Sequence, residues 1–193
     1  MKVVAINGSP HGEKGNTALI LTPFLEGMEA AGAQVKIFLT RSMTVRPCQG
    51  EYNCWFQTPG QCFQQDDMQT LLPELLAANV LVLATPLYVD GMSGPLKTVV
   101  DRFIPIGEPR IEFRGDHCRH PGRSPVKDKK MVLVSNCGFW ELDNFDALVS
   151  HVQAIARNLD ATFAGALLRP HGPALQAMLR QHAPVTDVLD AAR

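Results

Sequence analysis

The sequence predicts an α/β fold: a three-layer sandwich with helices on both faces of a five-stranded parallel sheet. Three observations predict it. Short β-branched runs alternate with helical stretches along the chain. The central runs are apolar almost throughout, as in strands covered on both faces. The alternation implies strand–helix–strand units with right-handed crossovers. The 193 residues suit one domain spanning 1–193, with long loops at 41–65 and 105–129.

The elements follow in order. Strands are expected at 2–6, 34–39, 80–84, 130–135 and 161–167. After the first strand Asn16 is the expected cap of a helix that buries Ala18, Leu21, Leu25 and Met28 and stops near Gly32. Pro23 lies inside that pattern and predicts a kink or a shifted start. Asp66 with Gln69 reads as a capping box for the second helix, whose regular part begins near Pro73. Ser93 precedes a third helix over 95–103 that buries Leu96, Val99 and Phe103. Asp143 or Asn144 opens the fourth, with Leu148, Val152, Ile155 and Leu159 inward, and a fifth spans about 174–181.

Composition narrows the functional classes. Lys and Arg number 18 against 19 Asp and Glu, and no basic stripe offers itself to phosphodiesters, so no nucleic-acid partner is expected. The longest apolar runs, 80–84 and 131–134, are far shorter than the roughly 20 residues of a membrane span. The amino terminus enters a strand pattern at once, without the layout of a secretory leader. Five cysteines, an odd and uneven set, read as reduced thiols in a cytoplasmic protein.

The loop 7–17, Asn-Gly-Ser-Pro-His-Gly-Glu-Lys-Gly-Asn-Thr, joins the first strand to the first helix. Its glycines allow close backbone approach, Ser9 and Thr17 supply hydroxyls, and a helix amino terminus favours an anion. The spacing fits neither a Walker loop nor a G-x-G-x-x-G fingerprint, which leaves a hydroxyl-rich loop for a phosphomonoester. With its N-G-S-P and G-N-T stretches this loop resembles that of the NAD(P)H-dependent FMN reductase group of the flavodoxin-like superfamily. The resemblance covers about residues 2–168 and implies strand order 2-1-3-4-5. It also implies FMN, with Ser9, His11, Asn16 and Thr17 on the phosphate together with amides from Gly15 to Ala18.

Two further loops extend the resemblance. Residues 85–97 are similar to the family's P-x-Y-x-x-x-x-G-x-x-K segment. That implies Pro86, Leu87 and Tyr88 as a wall for the flavin ring, with Gly91 at the turn and an amide between Val89 and Met92 at its reactive edge. After the fourth strand Cys137, Gly138 and Phe139 match the turn that meets the pyrimidine end, and Cys137 itself reads as packing. The activity implied is transfer of reducing equivalents from NAD(P)H through FMN to a quinone, nitro or azo compound. The alternative is a flavodoxin-type or iron–sulfur flavoprotein electron carrier. The group commonly forms homodimers or homotetramers.

Cys48, Cys54 and Cys62, followed by Asp66-Asp67-Met68, resemble the cysteine loop of the iron–sulfur flavoproteins, but Glu51 stands at the second cysteine position. A four-iron cluster needs four thiolates, so no cluster is expected, and these three cysteines are the only metal candidates. Trp55 and Phe56 read as a cover or subunit contact. The segment 117–120 reads as surface or subunit contact, with Arg119 or His120 a candidate partner of a nicotinamide phosphate.

Overall fold

The computed structural model describes residues 1–193. Its strands are β1 (Lys2–Asn7), β2 (Gln34–Leu39), β3 (Val80–Pro86), β4 (Glu112–Arg114), β5 (His117–Arg119), β6 (Lys130–Asn136) and β7 (Thr162–Arg169). Its helices are α1 (Asn16–Ala30), α2 (Asn53–Phe56), α3 (Met68–Ala77), α4 (Gly94–Asp101), α5 (Asp146–Asn158), α6 (Gly172–Arg180) and α7 (Thr186–Asp190). The main sheet is parallel throughout, in the order β2-β1-β3-β6-β7. With the small β4–β5 hairpin set aside, this is the 2-1-3-4-5 order of the flavodoxin-like fold.

Strand periodicity of two divides the core. Val3, Ala5, Val80, Val82, Ala84 and Val134 face one side, with Ile20, Leu21 and Leu25 of α1 and Leu175 of α6. Val4, Ile6, Leu81, Leu83, Met131 and Leu133 face the other, with Leu71 and Leu75 of α3, Leu96 and Val99 of α4, and Leu148 and Val152 of α5. All of β3 is buried, which is why it reads as an unbroken apolar run. The outer strands differ. β2 is largely exposed and carries Lys36, paired with Glu74 at 2.7 Å. On β7 the extra residue Ala164 makes a bulge opposite Met131 and Val132, with Gly165 at φ 145°.

Local signals were met unevenly. Ser93 caps α4 as expected, its Oγ accepting from the Leu96 amide. Asn16 does not cap α1: Gly15 holds the cap position and Asn16 is the first helical residue. α1 runs from Asn16 to Ala30 through Pro23, and α3 begins at Met68, five residues before Pro73. Asp143 and Asn144 fall in a 3-10 turn, Leu142–Phe145, and α5 starts after it. The second long loop contains the β4–β5 hairpin, turning at Gly115 and Asp116.

The capping box at Asp66 is replaced by a stronger use of its carboxylate. Asp66 and Arg102 form an ion pair at 2.7 Å, with both side chains almost wholly buried. The second oxygen accepts from Arg102 Nη2 at 3.1 Å and from the Met68 amide, and the Arg46 amide donates as well. Gln69 turns away to donate to Gln65. Burial alone would raise the Asp66 pKa, but the bonds from Arg102 and from the Arg46 and Met68 amides outweigh it and hold the carboxyl below its ordinary value. The pair fastens the first long loop to the end of α4, since Arg102 also donates to the Arg46 carbonyl at 2.7 Å.

Removing one partner strands a buried charge, which typically costs about 3–5 kcal/mol. Asp66→Asn should therefore lower the urea unfolding free energy by about that amount at pH 7. Because the folded pKa is depressed, the contribution is present above the unfolded value of about 3.9 and fades as pH falls through the folded one. Unfolding at stepwise lower pH should show the native and variant curves converging there.

Candidate cofactor-binding site

The carboxyl ends of β1, β3 and β6 bring three loops to one crest, the place where ligands sit in doubly wound sheets. Buried polar groups fasten the loops together. The Gly8 amide donates to the Ala84 carbonyl at 2.7 Å, and Ser93 Oγ donates to the Gly8 carbonyl at 2.7 Å. The Ser93 amide donates to Thr85 Oγ1, and Ser135 Oγ donates to the Thr85 carbonyl. Asn136 joins all three: its Oδ1 accepts from Thr17 Oγ1 at 2.7 Å, and its carbonyl accepts from the Leu87 amide at 2.8 Å.

The first loop, over 8–15, is shaped from within. Asn7 Oδ1 accepts from the Ser9 amide and Ser9 Oγ accepts from the His11 amide, which leaves the Ser9 hydroxyl hydrogen free to donate. A Cβ on Gly15 would lie 2.5 Å from Ser9 Oγ and 3.1 Å from His11 Cβ, so the position admits only glycine. Of the amides expected for an anion, that of Gly15 donates to the Gly12 carbonyl and that of Ala18 to the Gly15 carbonyl. The amides of Asn16 and Thr17 have no acceptor in the chain, and the Asn16 Oδ1 is buried without a partner. Thr17 commits its hydroxyl hydrogen to Asn136, so its open donor is the amide. Arg41 reaches the His11 carbonyl at 3.5 Å, a cation beside the loop that the sequence pattern does not mark.

The second loop is a tight reversal. Tyr88 and Gly91 exchange both backbone hydrogen bonds, at 3.0 and 3.1 Å, across Val89 at φ 47° and Asp90 at φ 59°. Two left-handed non-glycine residues, one of them β-branched, cost about 1–3 kcal/mol each, and such strain gathers at ligand clamps. The turn occupies the Gly91 amide and leaves those of Val89, Asp90 and Met92 open. Pro86 is buried beneath the turn, Leu87 is half-buried and Tyr88 is exposed.

The third loop presents the Gly138 and Phe139 amides without acceptors, while Cys137 is buried with its thiol on the Phe139 carbonyl. A loop after β7 props it from behind. The Cys137 amide donates to the Arg169 carbonyl, the His171 amide to the Phe139 carbonyl, and the Gly172 amide to the Cys137 carbonyl. The His171 ring packs on Trp140 at 3.7 Å between centroids. Thr85, Ser135, Asn136 and His171 thus belong to the crest without a sequence motif to announce them, whereas Asn7 opens the N-G-S-P stretch. The one available signal is that polar residues interrupt the apolar strands where they end.

Residues 1–166 match the NADPH-dependent FMN reductase family, and the chain belongs to it. An iron–sulfur flavoprotein of Archaeoglobus fulgidus is 32% identical over 102 residues, 53% of this chain and 48% of that protein. Another from Methanocaldococcus jannaschii is 32% identical over 114 residues, 59% of this chain and 56% of that one. The chain therefore spans about half the length of the curated relatives it matches. An FMN-dependent NADH-azoreductase of Bacillus anthracis, solved in complex with FMN, superposes with a TM-score of 0.69 at 16% identity, covering 100% of this chain and 98% of that one. That likeness confirms the flavodoxin-like fold.

The cysteine loop does not fit the cluster that these relatives' names carry. Cys48, Cys54 and Cys62 line one cavity with Glu51 and Arg102, but its volume is only about 10 Å³, the room of a single water. All three are free thiols, a fourth is missing, and no three His, Cys, Asp or Glu side chains are arranged around a metal position. Burial, then the neighbouring Cys62, Glu51 and Cys48, pushes the Cys54 thiol up to about 11. Arg102 Nη2 donates to Cys62 Sγ at 3.4 Å. Trp55 donates from Nε1 to the Ile104 carbonyl and its ring lies 4.6 Å from that of His120, while Phe56 is exposed. Trp55 and His120 line a cavity with Leu81, Met131 and Ala161, at the amino ends of the strands, so within one chain His120 lies away from the crest.

Asn136 is the joint on which the crest can be tested. Asn136→Ala removes the acceptor of a buried hydroxyl, which costs about 1–3 kcal/mol. Urea unfolding should show a loss in that range, larger than for Asn144→Ala, whose side chain bonds only the exposed Glu141 carbonyl.

Proposed function

We propose that the crest binds FMN and that the chain is an NAD(P)H-dependent oxidoreductase acting on a quinone, nitro or azo compound. The observation that carries this reading is the set of open backbone donors on three loops, at Asn16 and Thr17, at Val89, Asp90 and Met92, and at Gly138 and Phe139. Family membership and the FMN-bound structural neighbour support it. The residues present fit the cofactor: the Asn16 side-chain oxygen is buried without a partner, and the amides of Asn16 and Thr17 have no acceptor in the chain.

The Asn16 and Thr17 amides, the Ser9 hydroxyl and the positive end of α1 would hold the phosphate, with His11 and Arg41 beside it. Pro86, Leu87 and Tyr88 would wall the ring on one side, and Gly138 and Phe139 would meet its polar edge. FMN supplies the two-electron chemistry when bound, and the protein supplies orientation and hydrogen bonds. Val89 is 99% and Trp140 70% exposed, with Tyr88, Phe139 and Leu142 also open. Apolar side chains this exposed around one crest support a homodimer or homotetramer in which a second copy covers the ring.

The test is direct. The purified protein should be yellow, release about one FMN per chain on heating, and bleach under NADPH or NADH without oxygen. Colour without bleaching by either nucleotide would favour the electron carrier, and absence of FMN would remove both readings. Gly15→Ala should weaken FMN binding at least tenfold, about 1.4 kcal/mol or more, while far-ultraviolet circular dichroism stays native.

A further inference from the structure

A chamber of about 340 Å³ lies at the end of the sheet opposite the crest, roughly 20 Å along strands that rise ~3.3 Å per residue. Its floor is Leu81, Met131 and Ala161, at the amino ends of β3, β6 and β7, and Ile155 of α5 and Leu159 just beyond it form a wall. This volume and apolar lining are those of a small-molecule pocket. Lys129 enters the chamber and donates to the Leu75 and Leu76 carbonyls at the end of α3, which leaves its third ammonium hydrogen uncommitted.

A second concavity of about 500 Å³ adjoins the chamber and shares Gly122, Ser124, Lys129, Leu159 and Ala161 with its lining. Its surface carries Arg114, Arg119, Lys127, Lys129 and Arg157 against Asp128 and Asp160. Arg114 is paired with Asp160 and Glu112, which leaves Arg119, Lys127, Lys129 and Arg157 without an ion-pair partner. The chain as a whole has a net charge of −1, so this surplus of cations is local. An apolar chamber with a cationic concavity beside it, and Lys129 lining both, matches a molecule with an apolar body and an anionic head.

We propose that this chamber is a second ligand site, separate from the crest, for a small amphipathic carboxylate whose body fills the apolar space and whose head meets Lys129. The pairing answers a local need. Burial pushes the Lys129 ammonium down to about 8, and an anion beside it would favour the charged form. The body could be an alkyl chain or an aromatic ring, since both bury apolar surface against Leu81, Met131 and Ile155. This site is independent of the reading of the crest.

The experiment titrates the purified full chain at pH 7 with decanoate and, separately, with 2-naphthoate, using decanol and 2-naphthol as neutral counterparts. Calorimetry should show one site per chain for at least one acid, and at least tenfold weaker binding of its neutral counterpart. Which acid binds decides between an alkyl and an aromatic ligand. Trp55 lines the chamber and the other tryptophan, Trp140, stands at the crest. Binding should therefore change tryptophan emission in the native chain and not in Trp55→Phe. Lys129→Met should abolish the preference for the acid, and Leu159→Trp should block binding. Arg119→Ser, whose guanidinium otherwise bonds only the Cys118 carbonyl, should weaken the acid about threefold even if the other two variants fail to fold. No saturable binding of either acid, equal affinity for acid and neutral counterpart, or an emission change that persists in Trp55→Phe would overturn the proposal.

Discussion

The hydrogen-bonded seam at the carboxyl ends of β1, β3 and β6 is the constraint on which the rest depends. Three strands end in polar residues that are almost completely buried, and each must find a partner or carry the desolvation cost of an unmade bond. They find one another. Ser93 holds the first loop from the second, Ser135 bonds to the Thr85 carbonyl, and Asn136 reaches both α1 and the second loop. Because the loops satisfy each other's buried groups, their remaining amides face outward together. A shallow crest lined with main-chain donors follows from that arrangement.

The same economy of buried polar groups governs the far side of α3 and α4. The Asp66–Arg102 pair stands between a cysteine loop with little regular structure and the core. Its bonds to the Arg46 carbonyl and to Cys62 convert a long connection into a fixed one. Where related proteins are named for an iron–sulfur centre, this chain fastens its loop with the Asp66–Arg102 pair, the Arg102–Cys62 contact and the Trp55 bond to the Ile104 carbonyl.

Five strands and their order were legible because burial on two faces leaves an unmistakable apolar signature in 80–84 and 131–134, and because the first loop carries a compact motif. The Ser93 cap was legible for the same local reason. Other features were set by tertiary demand. Asn16 looks like a cap, but Gly15, which Ser9 crowds, holds that position, so the helix starts one residue earlier than an asparagine cap would place it. Asp66 looks like a cap and is drawn into an ion pair by an arginine 36 residues away, which no window of local sequence contains. The β4–β5 hairpin carried a Gly-Asp turn signal, yet its three-residue strands are too short to show alternation. In the crest, the proline, tyrosine and glycines were visible as a pattern. The seam beneath them was not, since serine, threonine and asparagine at strand ends look like ordinary loop polarity.

An open sheet has two margins, and each is a template onto which a stray chain could grow. On β2 the margin carries the exposed Lys36, a charge of the kind that disfavours edge-to-edge pairing. On β7 the inserted alanine and the glycine beyond it break the even spacing that such growth requires. Both flanks thus carry devices that natural sheets use against fibrous growth, and neither device draws on a residue of the crest.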